Sequence, residues 1–157
     1  MRLHEITLNE SGLEDEKWWY NVTTREVLPV PRSHGDMVEA DPGRFGVPPE
    51  KVAELQARYP DDGELATWWE YVRYEAQLKG WVRIGRWHDG DDAPYIYAAS
   101  LKQARTALQW MLSQAIVIDK VNVEITNSRE PVEGSGDFYQ FKDERAVKLF
   151  LRTGKTP

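Results

Sequence analysis

The seven residues Trp81-Val82-Arg83-Ile84-Gly85-Arg86-Trp87 put two indoles and two guanidiniums in a stretch short enough to be one β-strand. Side chains alternate across a strand, so Val82 and Ile84 point one way while Trp81, Arg83 and Trp87 point the other. Tyr95-Ile96-Tyr97-Ala98 repeats the pattern on an expected partner strand, with Tyr95 and Tyr97 opposed to Ile96 and Ala98. Such a hairpin face has two uses. Covered by N-terminal elements and their own Trp residues, it is a second core layer. Open to solvent, it is a platform on which flat rings hold a base and Arg supplies charge. Stacking is worth roughly 1–3 kcal/mol per base, and Arg over an exposed Trp face about 0.5–1 kcal/mol. Gly85 leaves a gap in the face or marks a bulge that re-aims Arg86. The candidate ligand-binding set is Trp81, Arg83, Arg86, Trp87, Tyr95 and Tyr97, with Lys102 and Arg105 of the following helix as phosphate contacts.

Other chemistry is sparser. The three His residues (His4, His34, His88) have no helical or short-loop spacing to one another, and no Cys is present, so no metal and no cofactor is expected. His88-Asp89-Gly90-Asp91-Asp92 reads as a hairpin turn rather than a calcium loop, which needs alternating acids and a closing Glu. Gly154-Lys155-Thr156 lacks the upstream Gly of a phosphate loop, Leu149 standing in its place. His34, in the loop Pro31-Arg32-Ser33-His34-Gly35-Asp36, either fixes that loop by hydrogen bonding or acts as a general base or phosphate contact.

These residues need a frame. Residues 18–22 and 26–30 read as a hairpin, with Pro29 placing the second strand at an edge. Residues 31–49, rich in Pro, Gly and Asp, read as loop. Helices are expected over about 49–59 and 64–79, the second with Leu65, Trp68, Trp69, Val72 and Ala76 on one face. A β-β-α-β-β-α series follows: strands 81–87 and 94–98, a helix 101–115 capped by Ser100, strands 121–125 and 138–141, and a helix capped by Asp143. The expected fold is therefore α+β, a ββαββα-like antiparallel sheet with packed helices. It forms a single domain over 1–157, residues 1–63 elaborating a core unit of 64–157. Trp110 falls on the polar side of its helix, as an interface anchor would. Its partner is another element of the chain, a second copy in a homo-oligomer, or a foreign protein.

The composition sets limits. The chain of 157 residues carries 20 Lys/Arg against 26 Asp/Glu, a net charge of −6, which argues against general duplex nucleic-acid binding. The imbalance sits in residues 1–80, nine basic against sixteen acidic, while residues 81–157 have eleven against ten. No apolar run approaches the ~20 residues of a membrane span and no leader pattern opens the chain, so a soluble cytoplasmic protein is expected.

Two segments carry a resemblance. Trp19-Tyr20, Val27, Val30, His34-Gly35-Asp36 and Asp41-Pro42-Gly43-Arg44-Phe45-Gly46 resemble the opening of small accessory proteins encoded by phages and prophages. Gly80-Trp81-Val82-Arg83, an amphipathic helix, Val121-Asn122-Val123-Glu124-Ile125, Phe138-Tyr139-Gln140-Phe141 and a closing helix resemble their remainder. The resemblance implies a mobile-element protein in a host cytoplasm, of the kind that occludes a host protein or sequesters a nucleotide signal as a counter-defence factor. The resulting expectation is a non-enzymatic binding module. The alternatives are a small metal-independent hydrolase or phosphodiesterase using His34, and an acidic nucleic-acid mimic or virion assembly protein.

Overall fold

A computed structural model describes residues 17–30, 37–60, 67–86, 94–114, 120–132 and 134–157. The strands are β1 (Lys17–Asn21), β2 (Val27–Val30), β3 (Trp81–Arg86), β4 (Pro94–Ala98), β5 (Val121–Ile125) and β6 (Asp137–Phe141). The helices are α1 (Met37–Ala40), α2 (Pro49–Arg58), α3 (Thr67–Leu78), α4 (Leu101–Ser113) and α5 (Glu144–Thr153), with a 3₁₀ turn at Pro42–Phe45. All six strands join one sheet in the order β2-β1-β3-β4-β5-β6.

The class is α+β, with helices packed on a mixed rather than antiparallel sheet. β4 and β5 run parallel, whereas the other neighbours run antiparallel. The reason is the connection. A helix lying between two adjacent strands returns the chain to the end from which it started, and that makes the second strand parallel to the first. β1 lies between β2 and β3, so residues 17–30 extend the sheet itself.

Strand alternation divides the buried residues into two cores. Trp18, Val82, Ile84, Ile96, Val121, Val123 and Phe141 face α4 and α5, meeting Ala104, Leu108, Met111, Val147 and Phe150. Trp19 and Trp81 face the other way, meeting Val38, Phe45, Val47, Leu55, Val72 and Ala76 of the N-terminal helices and α3. The segment expected to be loop thus contains α1 and the 3₁₀ turn. Asp41 caps the turn and Pro42 opens it. Full burial of Val38 and Phe45 supplies what the turn-rich composition lacks.

Local chemistry fixes the element ends. The buried Asn21 accepts from the amides of Thr23 and Thr24 at 2.8 and 2.9 Å and donates to the Lys79 carbonyl at 3.1 Å, tying the β1–β2 turn to the end of α3. Gly80, at φ 102°, follows α3, and a Cβ there would lie 2.7 Å from the Asn21 side-chain oxygen. Ser100 and Asp143 cap α4 and α5 by accepting from the amides of Gln103 and Ala146 at 3.2 and 2.8 Å. Asp143→Ala is expected to cost about 1 kcal/mol and Asp143→Asn much less, read from the shift in urea midpoint at unchanged slope.

Candidate functional site

On the face away from α4 and α5, strand register lines up one residue from each strand. The row reads Leu28, Trp19, Arg83, Tyr97, Glu124, Phe138. A second row, one pleat along, reads Gly85, Tyr95, Asn122, Gln140. The N-terminal helices cover the β1–β3 end of this face. The β4–β6 end has no helix over it among the described residues, and Phe138 is 53% exposed there.

The half without a helix carries rings, half-buried at Tyr95 and Tyr97 and exposed at Phe138, with the β5–β6 loop tied to the buried Glu124 between them. The Arg83 guanidinium carbon lies 5.9 Å from the centroid of Tyr97. The Tyr97 and Tyr95 rings are 5.4 Å apart, and Tyr95 and Phe138 6.2 Å apart. Three inter-strand spacings separate Arg83 from Phe138, about 14 Å. Beside Arg83 a cleft opens, its walls including Trp19, Glu70, Arg73, Gln77, Tyr97, Thr126 and Pro131. Its enclosed volume is about 30 Å³, room for roughly two waters. That volume admits a small group and not a larger molecule. Two guanidiniums and one carboxylate line the cleft. Arg73 stands 3.8 Å from Glu39 and 3.9 Å from Glu70, distances of loose ion pairs rather than tight forks. Gln77, buried, donates to the Thr126 hydroxyl at 2.9 Å and closes the floor.

Glu124 is the buried charge of the site, 3% exposed. Its Oε1 accepts from the Tyr95 hydroxyl at 2.8 Å and its Oε2 from the Gly134 amide at 2.9 Å. One carboxylate thus orients the Tyr95 ring, one pleat along, and ties down the loop between β5 and β6. Removing it leaves two donors without their acceptor, which costs about 1–3 kcal/mol for each group left unsatisfied. Glu124→Ala is expected to lower stability by about 2–4 kcal/mol, measured by urea unfolding. Glu124→Gln, keeping an acceptor for one donor, is expected to lose less than half of that.

The structure sorts the residues singled out from sequence. Arg83, Tyr95 and Tyr97 come together as described. Trp81 does not join them, because it is 4% exposed and packs edge-on against Phe45 at 4.9 Å. Its indole belongs to the second core, so it offers no plate to a ligand. Gly85 forms no bulge, since pairing runs without a break from Arg83↔Tyr97 to Arg86↔Pro94. Arg86 ends β3, and Trp87, the turn at 88–92 and His34 lie outside the described residues, as do His4 and His88. Lys102 and Arg105 ride on α4, against the opposite face of the sheet, and are thereby separated from the ring row. Arg105 donates to the Leu151 carbonyl in the last turn of α5.

Trp110 has its partner within the chain. Its ring lies flat on Tyr20, centroids 4.5 Å apart and planes 14° apart, so one face of the expected anchor is already covered. Burial raises the pKa of that Tyr20 hydroxyl. Phe138, Glu124 and Arg73 are the site residues that sequence reasoning missed. The alternation of 137–141 carried the signal for Phe138, once register with β5 sets which face it joins. Among the described residues no group of three or more His, Cys, Asp or Glu is placed to hold a metal ion. No helix among them is long and apolar enough to cross a membrane.

Comparison with protein-family models, curated proteins and solved structures gave no match.

Proposed function

We propose that the protein is a non-enzymatic binding module for a nucleotide-type ligand, its base against Phe138 and the adjacent Tyr95 and its anionic group at Arg83 and the adjoining cleft. The observation that carries the reading is the single row Arg83–Tyr97–Glu124–Phe138, which sets a guanidinium at one end and an exposed ring about 14 Å away at the other. Flat rings receive a base whatever its sequence identity, and Arg supplies both charge and a planar stacking surface. Glu124 acts through Tyr95, holding its ring in place. It also sets negative charge between the two ends, which favours the anion at the Arg83 end. In the phage setting that the sequence resembles, such a module sequesters a nucleotide signal of the host.

Thermal shift against linear mononucleotides and cyclic dinucleotides tests this. A ligand at 100 times its Kd is expected to add about 2.7 kcal/mol of stability. Arg83→Ala and Tyr97→Ala are each expected to weaken binding about tenfold or more, a loss of about 1.4 kcal/mol or more. Stabilisation by no nucleotide, or stabilisation untouched by either change, contradicts the reading and favours a host protein as the partner.

A further inference from the structure

We propose that the outer face of the α4–α5 helix pair is a docking surface for duplex nucleic acid, held through its phosphate backbone. The net charge of −6 speaks against this only if the charges are mixed, and they are segregated. Residues 101–113 and 142–157 together carry seven Lys/Arg against two Asp/Glu, leaving 13 against 24 for the rest of the chain. At physiological ionic strength the screening length is about 8 Å, so a partner on this face feels the local cations far more than the distant acids.

Geometry puts the cations on one surface. Arg145, Lys148 and Arg152 follow one another at i, i+3 and i+7 on the exposed side of α5, opposite the buried Val147 and Phe150. Lys102 and Arg105 form the exposed side of α4, and the Arg105 hydrogen bond to the Leu151 carbonyl joins the two helices at that end. Helix stability explains only part of this arrangement. Cations at the C-terminal end of α5, Arg105 and Arg152, complement its dipole, whereas Arg145 stands in the first turn, where the dipole disfavours a cation. Lys148 pairs with Glu144 at 3.1 Å, but both side chains are half-exposed and yield readily to a denser anion.

The choice of occupant follows from what else the face offers. Leu149 is the large exposed apolar residue on it, and the apolar stripe of α5 is spent on the core, so a lipid surface finds little to bury. Trp110 has one ring face taken by Tyr20, so among the described residues this surface offers a single strand no row of free rings to stack on. A duplex asks for neither. The seven residue steps from Arg145 to Arg152 span about 10 Å of helix, and that length of duplex carries about six phosphate charges.

The test is fluorescence anisotropy of a labelled 20-base-pair duplex of arbitrary sequence with the full chain, between 25 and 200 mM salt. Binding is expected at low salt, with log affinity falling against log salt at a slope of about −4. Arg145→Glu with Lys148→Glu is expected to reduce the slope by about 2 and to weaken binding at least tenfold. Far-UV circular dichroism checks that this variant is folded. Arg58→Glu, on α2 across the sheet, is expected to leave the titration unchanged. Absence of binding at 25 mM salt overturns the proposal, as does binding that survives the double change. Tighter binding to a single strand or to phosphatidylglycerol vesicles than to the duplex overturns it equally.

Discussion

Trp81→Ala is expected to lower the unfolding free energy by about 3–5 kcal/mol. The indole fills the space between the sheet and the N-terminal helices. Phe45 meets it edge-on at 4.9 Å and Trp19 at one remove, the Trp19–Phe45 centroids being 5.3 Å apart. Neighbours drawn from two layers cannot all collapse into the space it leaves, so a cavity penalty adds to the lost transfer energy. A domain of this kind has about 5–15 kcal/mol in total, so the change consumes a large share of it. The reference is Arg83→Ala, two residues along on the same strand face, which removes an interaction with Tyr97 and is expected to cost about 1 kcal/mol or less. Urea unfolding followed by circular dichroism separates the two. A Trp81→Ala midpoint equal to that of Arg83→Ala would mean that the indole is not packed, and would return it to the ligand face.

Gly136→Ala is expected to be as severe for a different reason. A Cβ at this position would lie 1.7 Å from the Ile125 carbonyl oxygen and 2.8 Å from its carbon. Both obstacles are backbone, so no rotamer change relieves them, and the chain must part. The break falls where Ile125 pairs with Asp137, at the first rung of the β5–β6 ladder. Phe138 is the next residue along, and the loop held by Glu124 precedes it. The expected loss is about 3 kcal/mol or more in stability, with nucleotide stabilisation falling further than the unfolding midpoint alone explains. Gly134→Ala makes the comparison. Its φ of 88° strains any Cβ, yet nothing lies within 4 Å, so about 1–2 kcal/mol is expected. Urea midpoints of the pair check the order, and equal losses would place the cost in backbone conformation instead of in the close approach to Ile125.

Much of the frame was legible because its signals are local. Ser100 and Asp143 announce the starts of α4 and α5, and alternation in Val121–Ile125 announces β5. What the sequence leaves open is which elements meet. The same alternation that put Trp81 and Arg83 on one face could not say that the N-terminal helices cover the first and stop short of the second. Phe45 and Val38, which do the covering, sit in a segment whose Pro, Gly and Asp read as loop. By type Arg105 reads as a phosphate contact beside the aromatic hairpin, but α4 carries it to the other face of the sheet. Its hydrogen bond to the Leu151 carbonyl, 46 residues away, depends on how α4 and α5 pack. Glu124 gives no hint of burial, since a Glu in a strand normally faces water, and among the described residues the Tyr95 hydroxyl and the Gly134 amide make its position tolerable.

The central claim, that rings and a guanidinium stand together where a nucleotide can lie along them, is tested most directly by aromatic and arginine side-chain NMR during titration with adenosine monophosphate. Shifts are expected to concentrate on the ring signals of Tyr95, Tyr97 and Phe138 and on the Arg83 Nε–H, with the Trp81 indole nearly still. Shifts confined to Arg145, Lys148 and Arg152, or none at millimolar ligand, would contradict it.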